Sequence, residues 1–279
     1  MNAQANRQGG FTGAGGLELF RQSWRPEGPV RGVLVYLHGL GDHSGLYVSL
    51  ADYFVPRGLA VHAPDLRGNG RSQGQRGYVA HWSEYREDLA RLLDLVRGEE
   101  PGLPLFLLGN SLGGLIVLDY VLHHGEGIRG VIAIAPPLGS VGVPAPLLLL
   151  GRVLSRVWPR FSLKTGMDLS GLSRDPAVVE TVLSDPLFHR FGTARLSTEV
   201  TAAIARVQAG AARFCLPLLI LHGSADRMAS PDGSRAFIAR VGFPDKELRE
   251  YPESYHVLLA DLDRERVLTD LEAWIDARL

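Results

Sequence analysis

The chain has 279 residues, of which 46% are hydrophobic, and its 29 Lys and Arg against 30 Asp and Glu give a formal net charge of −1. The length fits two domains or one α/β domain with an insertion equally well. The balanced charge leaves no basic excess to hold a phosphate backbone, so no nucleic-acid partner is expected. A single cysteine, Cys215, rules out an internal disulfide, and its place beside an apolar strand predicts a buried thiol.

Residues 1–15 are polar and rich in glycine, which predicts a disordered or frayed N-terminus. They lack the apolar stretch of a signal peptide, so we expect a cytoplasmic protein. Residues 130–151 are uncharged and about as long as a membrane span, but they include four prolines. Because an interior proline costs a helix about 3 kcal/mol, we predict a strand, a loop and the start of a helix there instead.

Buried strands and amphipathic helices alternate along most of the chain. This alternation predicts an α/β fold, with a mostly parallel central sheet and helices on both faces. It stops at Pro136 and resumes at Leu216, so we assign 16–136 and 214–279 to the core and 137–213 to a helical cap insertion over the sheet's C-terminal edge. The predicted strands are 17–24, 33–37, 59–63, 105–108, 131–135, 216–221 and 247–251, and the predicted helices include 46–57, 82–96, 234–241 and 267–275.

The residues Gly109-Asn110-Ser111-Leu112-Gly113 form the pattern G-x-S-x-G between a predicted buried strand and a helix. Strand, sharp turn and helix is the context of a nucleophile elbow. Glycine at 109 and 113 removes Cβ atoms that would collide where the strand doubles back into the helix. The turn would project Ser111 from the strand end, near the first amides of the helix.

Two further reactive side chains follow the ends of later strands. Asp226 comes after the strand 216–221, and His256 comes after 247–251. Because ligands in open α/β sheets bind outside the C-terminal ends of the strands, we expect both to meet Ser111 there. The order Ser, Asp, His is that of α/β-hydrolases, and no other histidine follows Asp226. His256 would take the serine proton, and Asp226 would orient the imidazole.

The oxyanion hole is predicted to use two backbone amides. Leu112 follows the nucleophile directly, and Leu40 lies between two glycines in the loop after the strand 33–37. The glycines at 68 and 70 fit neither a dinucleotide-binding pattern nor a P-loop, and His123-His124 has no ligand cluster around it. We therefore expect no cofactor and no metal.

Five stretches resemble the monoacylglycerol lipase and lysophospholipase group of the α/β-hydrolases, and the similarity runs from about residue 17 to the end. They are HGLGDHSGLY (38–47), DLRGNGRSQGQR (65–76), PGLPLFLLGNSLGG (101–114), LILHGSADRM (219–228) and YPESYHVLL (251–259). The resemblance puts the family's serine, aspartate and histidine on Ser111, Asp226 and His256, and its oxyanion amides on Leu40 and Leu112.

The resemblance implies a serine hydrolase that cleaves carboxylic esters of monoacyl lipids through an acyl-enzyme. Three positions depart from the family's usual residues. This chain has Asn110 where the family usually has His, Asp42 where it has Glu and Leu46 where it has Arg. Since the family lines the polar end of its pocket with some of these positions, we assign all three to substrate binding. The departures leave a lysophospholipase or a general carboxylesterase open as alternatives to a monoacylglycerol lipase.

The predicted cap, 137–213, carries nine basic and five acidic residues, a balance of +4. Its Leu-rich segment 146–158, with Arg152 and Arg156 one turn apart, could contact an anionic membrane surface transiently, which would make the protein peripheral. The simpler interpretation, which we slightly favour, is that its apolar face packs on the sheet and the arginines are solvated. In either case the cap is expected to supply an apolar pocket wall for an acyl chain.

Three other classes of function fit the sequence less well. Related aminopeptidases need acids in the cap to receive an ammonium group, so the positive cap argues against one unless Glu180 serves that role. Serine at the elbow argues against dehalogenases and epoxide hydrolases, which resemblance associates with an aspartate nucleophile. A non-catalytic binding protein on the same fold would have no need of an intact triad.

Overall fold

Eight strands form the central sheet in a computed structural model that describes residues 6–139, 145–166 and 168–279. The ten strands, in chain order, are β1 (Arg7–Thr12), β2 (Glu18–Trp24), β3 (Gly32–Leu37), β4 (Leu59–Pro64), β5 (Leu105–Asn110), β6 (Gly130–Ile134), β7 (Ser162–Lys164), β8 (Phe191–Thr193), β9 (Leu218–Gly223) and β10 (Lys246–Tyr251). The sheet order is β1-β2-β4-β3-β5-β6-β9-β10. The first two pairs are antiparallel and the other five are parallel, so the predicted mostly parallel sheet is confirmed.

The inner strands are apolar throughout because both faces of the sheet are covered. On β3 and β5, Val35 and Leu107 pack into one buried cluster, while Leu34 and Phe106 point to the opposite cluster. This two-sided burial removes the alternation of apolar and polar residues that a sheet with one solvent-exposed face would show. Because β3, β4, β5, β6, β9 and β10 run parallel, their C-terminal ends lie along one edge of the sheet. The predicted reactive residues lie at this edge.

Helices cover both faces of the sheet. Helices α1 and α8 contribute buried residues to one cluster, and α2, α3, α6 and α7 contribute to the other. Their bounds are α1 (Val48–Phe54), α2 (Ser83–Glu99), α3 (Leu112–Val121), α4 (Ala145–Val157), α5 (Pro176–Ser184), α6 (Ala194–Gly210), α7 (Pro231–Arg240) and α8 (Arg264–Asp276).

The segment between β6 and β9, where the sequence analysis predicted a helical cap, contains α4, α5 and α6. It also contains a small antiparallel pair, β7 and β8, where the sequence analysis expected no strand. Each of these strands has three residues, too few to show a period in the sequence. Within the described residues, no helix combines the length and apolar character needed to cross a membrane.

Two sequence-based expectations are wrong. Residues 7–12 are not frayed: they form β1, which pairs with β2 and buries Phe11, although two glycines weaken the strand pattern. Residues 1–5 lie outside the described residues. Cys215 is exposed rather than buried, because the strand that the sequence analysis placed at 216–221 begins at Leu218 and leaves Cys215 in the preceding loop.

Candidate active site

Ser111 lies at the sharp turn between β5 and α3. Its backbone has φ 53° and ψ −118°, a conformation that residues with a side chain rarely adopt. The turn is held by the amide of Ser111, which donates to the carbonyl of Ile134 at 2.8 Å. Strained backbone of this kind clusters at functional sites, where the surrounding structure fixes it.

The two glycines of the elbow are required because neighbouring backbone atoms lie where a Cβ atom would be. A Cβ on Gly109 would lie 2.3 Å from the carbonyl of Gly113, and a Cβ on Gly113 would lie 2.2 Å from the oxygen of Leu37. Both distances are far inside van der Waals contact, so the steric argument made from the sequence holds in the structure. The tight packing lets the strand turn directly into the helix beneath Ser111.

The structure brings Ser111, His256 and Asp226 into one line of hydrogen bonds. Ser111 Oγ is 2.9 Å from His256 Nε2, and His256 Nδ1 is 2.7 Å from Asp226 Oδ2. Because the carboxylate only accepts, Nδ1 carries the proton, which leaves Nε2 free to accept the serine hydroxyl. His256 and Asp226 are buried, whereas Ser111 is partly exposed, and Ser111 and His256 both line a small pocket.

Asp226 is held as a carboxylate by its surroundings. Its Oδ1 accepts the amides of Met228 and Ala229 at 2.8 and 2.9 Å. Burial would raise the pKa of Asp226, but hydrogen bonds from His222 and His256 outweigh it and hold that pKa below the usual range of an aspartate. The charge therefore persists beside the imidazole throughout the neutral pH range.

His222 is a residue that the sequence analysis missed. It is fully buried, and its Nε2 donates to the carbonyl of Ala229 at 2.9 Å and lies 3.3 Å from Asp226 Oδ2. Its Nδ1 then accepts the hydroxyl of Ser234 at 2.9 Å. The signal was present in the sequence, since His222 is the penultimate residue of β9 and lies four residues before Asp226.

The two predicted oxyanion residues flank the nucleophile. Leu112 is the first residue of α3, and Leu40 lines the pocket of Ser111 from the loop after β3. Within the described part of the chain, the amide of Leu40 donates no hydrogen bond. A free amide beside the nucleophile is what an oxyanion hole requires.

Two of the predicted substrate contacts line the pocket of Ser111. Asp42 and Asn110 are both buried there. Asp42 Oδ2 accepts the hydroxyl of Tyr47 at 2.7 Å, whereas Asn110 Oδ1 has no hydrogen-bond partner among the described residues. A buried amide oxygen without a partner is costly, and a polar substrate group could satisfy it.

The third predicted contact, Leu46, lines a larger adjoining cavity of about 500 Å³. Asp42, Leu172 and Val257 line both this cavity and the pocket of Ser111, so the two are neighbours across these side chains. Within residues 6–139, 145–166 and 168–279, no group of three or more His, Cys, Asp or Glu is arranged to hold a metal ion.

Comparisons with known proteins agree on the family. A family model described as serine aminopeptidase, S33, matches residues 28–263. The monoacylglycerol lipase of Mycolicibacterium smegmatis is 33% identical over the full length of both chains. The crystal structure of the Paleococcus ferrophilus monoacylglycerol lipase has a TM-score of 0.85 at 34% identity, covering 94% of this chain and all of that one.

A second solved structure extends the comparison to a complex. It is a soluble variant of the monoglyceride lipase of Saccharomyces cerevisiae with a substrate analogue, with a TM-score of 0.89 at 25% identity, covering all of this chain and 96% of that one. The family model's description names a peptidase, whereas these relatives are named as lipases. The chain belongs to the monoacylglycerol lipase group of the α/β-hydrolases, and it is a carboxylic ester hydrolase.

Proposed function

We propose that this protein hydrolyses monoacylglycerols, with Ser111 as the nucleophile, His256 as the general base and Asp226 as the group that orients the base. The observation that carries the proposal is the continuous line of hydrogen bonds from Ser111 Oγ to Asp226 Oδ2. A neutral serine hydroxyl is a weak nucleophile, so it needs an adjacent base in this position.

The reaction has two halves. Ser111 Oγ attacks the ester carbonyl as His256 Nε2 takes its proton, and the amides of Leu40 and Leu112 stabilise the negative oxygen. His256 then gives the proton to the departing alcohol, which leaves an acyl-enzyme. Water activated by the same imidazole releases the fatty acid. This mechanism asks for no metal or cofactor.

The charges around the adjoining cavity favour a neutral glycerol headgroup over a phosphate. Asp261 and Glu265 each pair with an arginine. Among the described residues, Asp42 and Asp175 have no cationic partner, and they would repel a phosphate placed near them. The charged side chains that line the cavity are Asp42, Asp175, Asp261, Arg264 and Glu265.

The aminopeptidase alternative finds little support at the site. Glu180, the one cap acid on which it depended, lines a separate surface groove with Arg174 and Arg227. The arginines in that groove would repel an ammonium group. We therefore place ester hydrolysis ahead of peptide hydrolysis.

A substrate panel tests the headgroup preference. We expect kcat/KM for monooleoylglycerol to exceed that for oleoyl-lysophosphatidylglycerol, whose headgroup carries a net negative charge, by about tenfold or more, the size of one unfavourable charge contact. Short p-nitrophenyl esters should also be cleaved, and aminoacyl anilides should not. The Ser111→Ala protein measures background hydrolysis. Faster cleavage of the lysophospholipid would contradict the preference for a glycerol headgroup. Cleavage of the anilides alone would contradict ester hydrolysis.

The exposed face of α4 supports a transient membrane contact through the cap. Trp158 is 59% and Val157 75% exposed at the end of this helix, and Arg152 and Arg156 are exposed on it. An apolar stripe with flanking arginines suits the interface of an anionic bilayer. The exposed apolar residues from this region are Leu149, Leu150, Val153, Val157 and Trp158.

A vesicle-binding measurement checks the contact. We expect the wild-type protein to sediment with phosphatidylglycerol-containing vesicles and the Leu150→Glu/Val153→Glu variant to stay in solution, because two buried charges would oppose insertion. Activity on a short water-soluble ester should be equal in both. Leu262→Glu, at a leucine of the core that is 66% exposed, is the control for vesicle binding. Equal sedimentation of the two variants would contradict a docking role for α4.

A further inference from the structure

The amide assigned to the oxyanion hole lies in the loop 38–43, whose shape is fixed by hydrogen bonds on both sides of Leu40. Before Leu40, His38 Nδ1 donates to the carbonyl of Gly39 at 2.7 Å, and His38 Nε2 accepts the amide of Leu66 at 2.9 Å. Since the carbonyl of Gly39 and the amide of Leu40 share one peptide plane, His38 orients that plane.

The peptide after Leu40 is held by Asn69. The amide of Gly41 donates to Asn69 Oδ1 at 3.0 Å, and Asn69 Nδ2 donates to the carbonyl of Arg67 at 2.9 Å. Asn69 is almost fully buried, between the two glycines for which the sequence analysis expected no cofactor. Hydrogen bonds therefore hold both peptide groups beside Leu40. The second peptide group is held by the side chain of Asn69, which must itself be held in place.

That support comes from the cap. His189 Nε2 donates to the same Asn69 Oδ1 at 2.9 Å, and the amide of His189 donates to the carbonyl of Gly41 at 3.0 Å. The contact is so close that a Cβ on Gly41 would lie 2.0 Å from the carbonyl oxygen of His189. A single cap residue thus contacts Gly41 directly and again through Asn69.

The imidazole of His189 is fixed as a neutral donor. Its Nδ1 accepts the amide of Phe191 at 3.2 Å, which leaves the proton on Nε2. Burial, with a smaller effect of the nearby Arg76, lowers the pKa of His189 to about 4. At neutral pH the ring therefore keeps one donor and one acceptor, and both are used.

His189 is also tied to the rest of the cap. It lies two residues before β8, which pairs with β7, and β7 follows the exposed helix α4. The amide of Thr165 donates to the carbonyl of Arg190 at 2.6 Å. A second contact, between His43 Nε2 and Asp185 Oδ2 at 3.1 Å, joins the same loop to the cap.

We propose that His189 is a positioning residue for the oxyanion hole, through which the cap holds the Leu40 amide in its reacting orientation. The inference rests on the proposed serine mechanism. It makes the cap part of the catalytic geometry as well as a wall of the pocket, because displacing the His189 segment would release Gly41 and Asn69 together.

The test uses His189→Phe, which keeps a ring and removes both nitrogens. We expect kcat on a short p-nitrophenyl ester to fall about tenfold with KM within about twofold, since full loss of an oxyanion donor costs 10²–10³-fold and a misplaced one costs less. Inhibition by a trifluoromethyl ketone, whose adduct places an alkoxide in the hole, should weaken by the same factor as kcat/KM. His189→Gln, which keeps an N–H donor, should recover most of the rate.

Asn69→Ala breaks the same path without altering the cap, so it serves if the Phe variant folds poorly. It should lose a similar factor in kcat, and the double variant should lose little more than either single variant, because both act on one element. His62→Gln is the matched control: His62 is a buried histidine on β4, and burial likewise lowers its pKa to about 4.

Unchanged kcat in both His189→Phe and Asn69→Ala would overturn the inference, as would an equal loss in His62→Gln. A change in KM alone would point to pocket shape and would overturn it as well. If the ketone fails to inhibit the wild-type protein, the serine mechanism itself is wrong and the inference falls with it. If the ketone inhibits the wild type and both single variants equally, only the role of His189 is refuted.

Discussion

Replacing Ser111 with alanine is expected to lower kcat on short p-nitrophenyl esters by about 10⁶-fold, the usual effect of removing a triad nucleophile. The variant leaves His256 Nε2 without the hydroxyl that lies 2.9 Å from it in the wild-type protein. The fold should survive, because alanine has the same Cβ as serine at this turn and the backbone bond to Ile134 remains.

The measurement is initial-rate kinetics on the purified variant, with a thermal melt to show that it is folded. Ser170→Ala, at an exposed serine between β7 and α5, is the matched control and should retain wild-type rates. A folded Ser111→Ala protein with more than about a hundredth of the wild-type rate would reject Ser111 as the nucleophile.

Replacing Asp226 with asparagine is expected to lower kcat by about 10⁴-fold with little change in structure. The carboxylate accepts the Nδ1 proton of His256, whereas an amide nitrogen in its place would donate to Nδ1. The imidazole would then carry its proton on Nε2, where it could not accept the proton of Ser111. The exposed Asp232→Asn variant should keep wild-type rates, and a rate in Asp226→Asn within tenfold of wild type would contradict the assigned role.

The same variant has a pH signature in stability. Because the pKa of Asp226 is lower in the folded protein than the value of about 4 in an unfolded chain, its charge stabilises the fold above pH 4. That contribution is lost as the pH falls below 4. In urea unfolding, the wild-type protein should therefore lose more stability between pH 6 and pH 3 than Asp226→Asn. Parallel losses would contradict the lowered pKa.

The candidate catalytic residues could be predicted because each lies in a local pattern that has a steric or topological cause. Glycines at 109 and 113 mark the elbow, and their Cβ positions are indeed blocked by backbone. Ser111, Asp226 and His256 each follow a buried apolar run, and parallel strands bring such ends to one edge. Local sequence and the topology of the sheet were enough to place these residues near one another.

The residues that could not be predicted are held by contacts between distant segments. His189 meets Gly41 and Asn69 across separations of 148 and 120 positions, and nothing in the pattern around residue 189 indicates it. Strand β1 was missed for a different reason. Its sequence includes two glycines and shows no alternation of apolar and polar residues, and the strand forms by pairing with β2. Such features depend on tertiary packing rather than on local propensity.

The proposed mechanism requires a covalent step at Ser111, and trapping that step tests the mechanism directly. The wild-type protein should react with a fluorophosphonate to give one adduct, which peptide mapping by mass spectrometry should place on Ser111. The Ser111→Ala protein should remain unlabelled under the same conditions. An adduct on another residue, or a folded and unlabelled wild-type protein that still hydrolyses esters, would contradict the proposed mechanism.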